Sequence, residues 1–300
     1  MAGSARLIAI GSADASHHRD VNVSTTYLPF LTDLLQLGFG ISGSSWASGD
    51  DREPRYYGGS VAVLGNLYVG HHVDSRPYVG LFGSRGGNSH TAPVTTLGGQ
   101  AGWLHFLTPA AALRLEYRYR HYVHYRRPVS EVVLYLDPYV GGRASTAPRI
   151  APSFGSWDVF VYSYADPRAD GQWSGQLLVA PFLTRWLQLG INADYAYFTP
   201  YQSSAHQVEG FGRLYIPLAS RVVPFAGAFA EAGTFSNDTK GLSTYGPLVG
   251  VRTYVNRDAA IDLSVRRTRH GSIEVGTTRF SLGDETRASV GVVTQLRWRR

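Results

Sequence analysis

The sequence predicts an all-β fold, namely an antiparallel transmembrane β-barrel of about 16 strands. Three observations predict it. Apolar and polar residues alternate along many segments, the two halves of the chain repeat each other, and the connections between segments alternate between short and long.

The clearest alternation lies in residues 111–125. Alternate positions carry Leu113, Leu115, Tyr117 and Tyr119, and the positions between them carry Arg114, Glu116, Arg118 and Arg120. Because neighbouring side chains of a strand point to opposite faces, one face is apolar and aromatic and the other is charged. A soluble sandwich can hold such a strand at its surface. A row of three arginines and a glutamate opposite aromatic residues is more typical of a barrel wall with lipid outside and water inside.

The composition limits the classes of protein that the chain can belong to. With 300 residues, 44% hydrophobic and 17% charged, it is not a disordered chain. The 34 glycines and 19 tyrosines suit a barrel at a lipid–water interface, and they also suit a soluble all-β protein. The net charge of +6 comes from arginines spread along strands, which disfavours nucleic-acid binding. The absence of cysteine excludes disulfides and thiolate metal sites.

The sequence contains no pattern of a spanning helix or a signal peptide. No apolar run approaches the roughly 18 residues that a spanning helix needs. The first apolar run, near Leu7, is short and leads directly into a strand pattern. If the barrel is exported, we expect its signal peptide to lie outside this sequence.

An internal repeat divides the chain into two halves. Residues 29–38 return as 181–190, an offset of 152. Residues 65–69 and 77–82 return as 212–216 and 224–229 at an offset of 147, and 102–115 return as 250–263 at 148. Four matches in order predict a duplication, with a first eight-stranded repeat in residues 1–150 and a second in residues 151–300.

Period-two alternation between turn signals places the strands. In the first half we predict strands near 5–13, 20–30, 34–47, 56–69, 76–84, 93–107, 111–124 and 129–137. In the second half we predict them near 156–165, 173–183, 186–198, 207–218, 222–234, 242–255, 259–268 and 286–298.

The connections between these strands alternate in length. Short ones include 32–33, 108–109, 184–185, 219–221 and 256–258, and 70–75 is somewhat longer. Long polar ones are 14–20, 48–55, 84–92, 166–172, 199–206 and 236–241. Short turns at one rim and longer loops at the other are typical of outer-membrane barrels. The joint at 137–155 should lie at the short-turn rim, and 269–285 either extends the last hairpin or holds a further strand.

Three segments carry a resemblance to a known family. Residues 77–83 (PYVGLFG), 98–109 (GGQAGWLHFLTP) and 112–119 (ALRLEYRY) resemble the OmpA/OmpX-type outer-membrane β-barrel repeat. The last strand, with Val290, Val292, Thr294, Leu296 and Trp298 on one face, resembles the closing strand of that family. The resemblance implies an outer-membrane location and eight antiparallel strands per repeat, and it brings no catalytic residue with it.

The repeat allows two architectures. The first is a single barrel made by fusing the two repeats, which the even strand number and the lack of a long flexible linker favour. The alternative is two separate eight-stranded barrels in tandem, which requires each half to close on itself.

Candidate sites lie mainly on the face that should line the lumen. The inward positions are Asn66, Arg114, Glu116, Arg118, Arg120, Gln188, Asn192, Asp194, Arg213, Tyr215, Arg252, Asp262, Ser264, Arg266, Gln295 and Arg297. Arginines exceed acids in this set, so an open lumen would favour anions. Alternatively, the charges pair across strands and fill the interior as a plug.

Other motifs have simpler interpretations. Residues 38–43 match G-x-G-x-x-G but are not followed by a helix, so we expect Gly38 and Gly40 to be strand glycines that face the lumen. His121 and His124 face opposite sides of one strand, and the pairs 17–18 and 71–72 also diverge, so we expect no metal site. The acids of 50–53 are expected to form a charged external loop.

These features favour a protein that is not an enzyme and has no cofactor. We expect an outer-membrane barrel that acts as a diffusion pore or as a structural subunit of an envelope assembly, in contact with lipid and with a possible envelope partner or second copy. The alternative function is an outer-membrane hydrolase acting on lipid or peptide, although no Ser/His/acid set is visible on one face. The positions expected to face outward are Leu113, Leu115, Leu187, Leu189, Ile191, Ile261 and Leu263.

Overall fold

A computed structural model gives the fold of the protein. It describes residues 4–14, 19–47, 56–70, 74–123, 128–141, 154–166, 171–198, 203–216, 221–235, 239–240, 242–256, 258–270, 272–275, 278–281 and 284–297. Within these residues no helix is long and apolar enough to cross a membrane, a finding that concerns helices alone.

Sixteen long antiparallel strands form a closed barrel, and three short strands form a separate small sheet. The barrel strands of the first half are β1 (Ser4–Asp14), β2 (Arg19–Pro29), β3 (Leu35–Ala47), β4 (Tyr56–Tyr68), β5 (Ser75–Asn88), β6 (Thr91–Thr108), β7 (Ala111–Tyr122) and β8 (Val129–Gly141). Those of the second half are β9 (Ser156–Ala165), β10 (Gln172–Pro181), β11 (Leu187–Phe198), β12 (Ser203–Tyr215), β13 (Val222–Phe235), β15 (Leu242–Tyr254), β16 (Ala259–His270) and β19 (Glu285–Arg297). The small sheet comprises β14 (Thr239–Lys240), β17 (Ser272–Val275) and β18 (Thr278–Ser281).

The predicted fold class, a 16-stranded antiparallel barrel, is confirmed. The ring is continuous because β1 pairs with β19 from Ile10 to Asp14, and β8 pairs with β9 from Val132 to Tyr135. These two ladders lie toward one end of the barrel, which we call the wide end. The opposite end, where the short turns such as residues 109–110 lie, we call the narrow end.

At the narrow end the strands pair differently. Residues 4–6 of β1 leave β19 and pair with residues 139–141 of β8. Residues 294–297 of β19 pair instead with residues 156–159 of β9. The single ring of the wide end therefore divides into two eight-stranded rings, ring one from β1–β8 and ring two from β9–β13, β15, β16 and β19.

Two predicted loops differ from the structure. The expected long connection at 84–92 is wrong, because β5 and β6 continue as a paired hairpin up to a tight turn at Ser89 and His90. The expected loop 199–206 is shorter than predicted because β12 begins at Ser203. Gly86 and Gly87 fit this paired hairpin because another stretch of backbone approaches each of them closely.

The segment 269–285 contributes β17, which pairs with β14, and β18, which pairs with β17, in the small sheet at the wide end. The histidines of 17–18 and 71–72, His124, the acids of 50–53 and most of the joint at 137–155 lie outside the described residues or the side chains that can be described. The joint does begin and end at the narrow end, where β8 stops at Gly141 and β9 starts at Ser156.

The outer face of the barrel is apolar. Large exposed hydrophobic side chains cover it on every side, and Leu115, Leu189, Ile191 and Leu263 are among them. Leu115 keeps 52% of its surface exposed although it lies in the middle of β7. Exposed Trp103, Trp157 and Trp186 lie near the narrow end, and their amphipathic rings suit a lipid–water interface.

The interior of each ring is a packed core. Phe30, Tyr68, Tyr78, Leu104 and Tyr139 are at most 2% exposed in ring one. Phe182, Tyr215, Val223, Phe225 and Tyr254 are at most 3% exposed in ring two. An eight-stranded ring is just wide enough for side chains to fill, so this packing follows from the strand number.

Small outward-facing residues allow the two rings to lie back to back. Ala111 lies on the same face of β7 as Leu115, yet it is fully buried, and Ala259 on β16 is fully buried as well. At this level β8 lies against β16 and β19, and β7 lies against β19. The alanines therefore fill the close contact between the rings.

We predict that Ala111→Leu destabilises the protein by about 1–3 kcal/mol, because the larger side chain has no space between the rings. Equilibrium unfolding by urea in lipid vesicles measures the effect. Ala101→Leu is the matched control, because Ala101 faces outward on β6 and is exposed. Equal stability of the two variants would contradict the back-to-back contact.

Candidate functional site

Ring one contains a buried network of charges around Arg114. Its guanidinium is fully buried and donates from Nε to Asp137 at 2.6 Å and from Nη2 to the Tyr139 hydroxyl at 3.0 Å. Arg6 lies 2.8 Å from the other oxygen of Asp137. Glu116 accepts hydrogen bonds from the Tyr78 hydroxyl and from Arg118.

Ring two contains a similar network around Arg252. Its Nε lies 2.6 Å from Asp262, and its Nη2 lies 2.6 Å from Asp158 on β9. Arg213 lies 3.0 Å from the second oxygen of Asp262. Gln295 donates to Asp158 at 2.9 Å. Each buried charge of this set therefore has an opposite charge beside it, which burial requires.

An amide and a tyrosine extend each network in the same way. In ring one the Tyr68 hydroxyl donates to Gln36 at 2.5 Å, and Gln36 donates to the Leu28 carbonyl at 3.2 Å. In ring two the Tyr215 hydroxyl donates to Gln188 at 2.8 Å, and Gln188 donates to the Ala180 carbonyl at 3.2 Å. Polar and aromatic side chains together fill both rings.

The structure divides the predicted inward residues between the two ends. Ten of them belong to the ring networks, namely Asn66, Arg114, Glu116, Arg118, Gln188, Arg213, Tyr215, Arg252, Asp262 and Gln295. Nearer the wide end, Arg120 lies 2.9 Å from Glu131, and Arg266 lies 2.7 Å from Glu209. Asn192 donates to Asp194 at 3.0 Å there. The side chain of Arg297 is not described.

The interior is open toward the wide end. A cavity of about 550 Å³ follows the inner wall of β1–β5 and is lined by small residues such as Ser24, Ser42, Ser60 and Asn88. Ile10, which pairs with Ser24, is 52% exposed on this inner wall. A second cavity of about 440 Å³ lies across the β8–β9 junction and is lined by Arg118, Arg120, Glu131 and tyrosines. We call these two cavities together the vestibule.

The change from open to filled takes place within a few residues of one strand. Ser24 and Leu28 lie on the same inward face of β2. Ser24 is exposed to the vestibule, and Leu28 is fully buried in ring one. The vestibule therefore has a floor at the level where the barrel divides.

The arrangement can bind and exclude solutes by charge and size. The interior acids described above lie beside arginines or amides, while the strand histidines His105, His121 and His206 lie on the outward face and are exposed. Among the described residues no group of three His, Asp or Glu is arranged to hold a metal ion. The anion preference expected from the arginine row loses its basis, because Arg114, Arg118 and Arg120 each lie beside a carboxylate.

Sequence reasoning missed several members of the networks. Arg6, Glu131, Asp137 and Asp158 were not selected, although each is inward-facing and buried. Their positions in the period-two alternation of β1, β8 and β9 indicate that they face inward. What the sequence could not give is the pairing, since Arg252 and Asp158 are separated by 94 residues.

The comparisons with known proteins assign this chain to no family. No protein-family model matches the chain, and no curated protein matches it. Among solved structures, a bacterial polysaccharide outer-membrane secretin is 10% identical, with 98% of each chain covered and a TM-score of 0.49. The CymD monoaromatic hydrocarbon channel is 8% identical, with 100% of this chain and 90% of that chain covered and a TM-score of 0.43. OprD from Pseudomonas aeruginosa is 10% identical, with 98% and 92% covered and a TM-score of 0.37. At these TM-scores the fold rests on the strand ladders of this chain itself.

We predict that Arg252→Met lowers the free energy of unfolding by about 3–5 kcal/mol, because Asp158 would be left buried without its arginine. Arg267→Met is the matched control, since Arg267 is 60% exposed and should change stability by no more than about 0.5 kcal/mol. Urea unfolding of both variants in vesicles tests this. If Arg252→Met unfolded like the control, Arg252 would not hold ring two together.

Proposed function

We propose that this chain is a non-enzymatic outer-membrane β-barrel that takes up solutes into a water-filled vestibule at its wide end and restricts their diffusion at its narrow end. The observation that carries the proposal is the transition from exposed Ser24 to buried Leu28 on one face of β2. The apolar outer face supports a membrane location, because every side of the barrel presents large exposed hydrophobic residues.

The second candidate is a structural barrel subunit of an envelope assembly. The filled interior of both rings favours it, because a barrel closed in this way needs no solute to serve as an anchor or scaffold. The two candidates differ in current across a planar bilayer. A restricted diffusion pore gives transient openings at high voltage, and a purely structural barrel gives none.

We further propose that the two halves, residues 1–150 and 151–300, arose by duplication of an OmpA/OmpX-like repeat. Matching hydrogen bonds support it. Gln36 and Gln188 each bind a tyrosine hydroxyl and a carbonyl of the preceding strand. Thr32 and Thr184 each accept from the backbone amides two and three residues onward. Self-closure of each half at the narrow end is consistent with an eight-stranded ancestor.

A hydrolase is the less favoured function. Its catalytic set would need a histidine beside a carboxylate, and the interior carboxylates described above lie beside arginines or amides instead. No partner protein is needed for the vestibule, which lies within one chain.

A labelling experiment tests the vestibule. The chain has no cysteine, so single cysteines can be introduced without a background reaction. In lipid vesicles a membrane-impermeant thiol reagent should react quickly with Ser24→Cys and at least tenfold more slowly with Leu28→Cys. Equal rapid labelling would show an open narrow end, and failure to label either would contradict a water-filled vestibule.

The membrane location yields a separate prediction. Leu115→Arg should lower stability in lipid by about 2–4 kcal/mol, because a charge near the bilayer midplane is costly. Leu115→Val is the control, since it keeps the outer face apolar. Folding of Leu115→Arg in vesicles with undiminished stability would place Leu115 away from lipid.

A further inference from the structure

We infer that the narrow end holds two separate permeation paths, one through each ring, which leave the same vestibule and are closed independently. The inference rests on the proposed function, because it concerns where solutes leave the vestibule. The permeants of both paths are water and small monovalent ions.

The backbone supplies the first reason. Where β1 pairs with β8 and β19 pairs with β9, each half is a complete ring with its own wall. A solute that passes the floor of the vestibule must enter one ring or the other. The walls of β1 and β8 on one side and β9 and β19 on the other then separate the two interiors.

The side chains supply the second reason. Arg114 joins β7 to Asp137 on β8, and Arg6 reaches the same carboxylate from β1, so this closure lies wholly within ring one. Arg252 joins β15 to Asp158 on β9 and Asp262 on β16, wholly within ring two. Each of these ion pairs joins two residues of the same half.

The described contact between the two rings is formed by uncharged side chains, which couple the rings only weakly. Among the described residues it includes the buried, outward-facing Ala111 and Ala259 and a hydrogen bond of 3.1 Å from the Asn256 side chain to the Tyr139 carbonyl. Arg114 and Arg252 each lie beside carboxylates of their own ring, so the charges of each network are balanced within that ring. Opening of one ring should therefore leave the other ring closed.

The strand number sets the width of each path. An eight-stranded ring leaves room only for its own side chains. Removing one guanidinium and one carboxylate from such a ring frees space on the order of a few water molecules. Sugars and larger solutes that fit the vestibule should be excluded from both paths.

Single-channel recording in planar bilayers tests the inference with two double variants. Arg114→Ser with Asp137→Ser opens ring one, and Arg252→Ser with Asp158→Ser opens ring two. Each removes one positive and one negative charge, so the net charge is unchanged. We expect one conductance level from each double variant, and two levels that gate independently and add from the variant with all four changes.

The control is Arg267→Ser with Asp284→Ser, an exposed pair near the small sheet, which should add no current. A single indivisible level in the four-site variant, or equal current from it and from either double variant, would overturn the two-path inference. Silence of all variants while Ser24→Cys is still labelled would also overturn it but leave the proposed function intact. Loss of the Ser24→Cys labelling would defeat the proposed function itself.

Variants that fail to fold do not remove the test. In the unmodified protein, transient openings driven by high voltage should then fall into two amplitude classes that overlap in time as independent events. A single amplitude class would contradict the inference.

Discussion

The structure depends on one constraint, that every strand edge in a membrane must be paired. An unpaired backbone group in lipid costs several kcal/mol, so a spanning sheet must close. Here the edges of β1, β8, β9 and β19 satisfy the constraint in two ways. At the wide end they pair across the halves, and at the narrow end they pair within each half. The division of the barrel is the geometric result of this exchange of partners.

The exchange of partners also sets what lies inside. Sixteen strands enclose more space than side chains fill, whereas eight strands do not. The vestibule and the two packed rings thus follow from strand number rather than from separate design of loops or plugs. Arg114 and Arg252 lie where the barrel has already divided into the two narrower rings. A buried arginine needs an opposite charge beside it, and Asp137 and Asp158 supply these charges.

The sequence predicted most of the wall and little of the interior. Period-two alternation placed all sixteen barrel strands and assigned faces such as that of Arg114 and Leu115, because the side-chain period depends only on local geometry. It could not predict that β1 has two partners, since ladders join residues far apart in the chain. For the same reason the partners Asp137 and Asp158 were found only in the structure. Burial of the outward-facing Ala111 likewise depends on the second ring and has no local signal.

Disulfide trapping at four positions tests the division of the barrel most directly. In this structure Ala5 pairs with Val140, and Trp157 pairs with Leu296. A barrel that kept its wide-end registers throughout would instead place Ala5 opposite Leu296 and Val140 opposite Trp157. We predict that Ala5→Cys with Val140→Cys, and Trp157→Cys with Leu296→Cys, form disulfides under mild oxidation, and that the exchanged pairs do not. Disulfides in the exchanged pairs alone would show a single undivided ring and contradict the account.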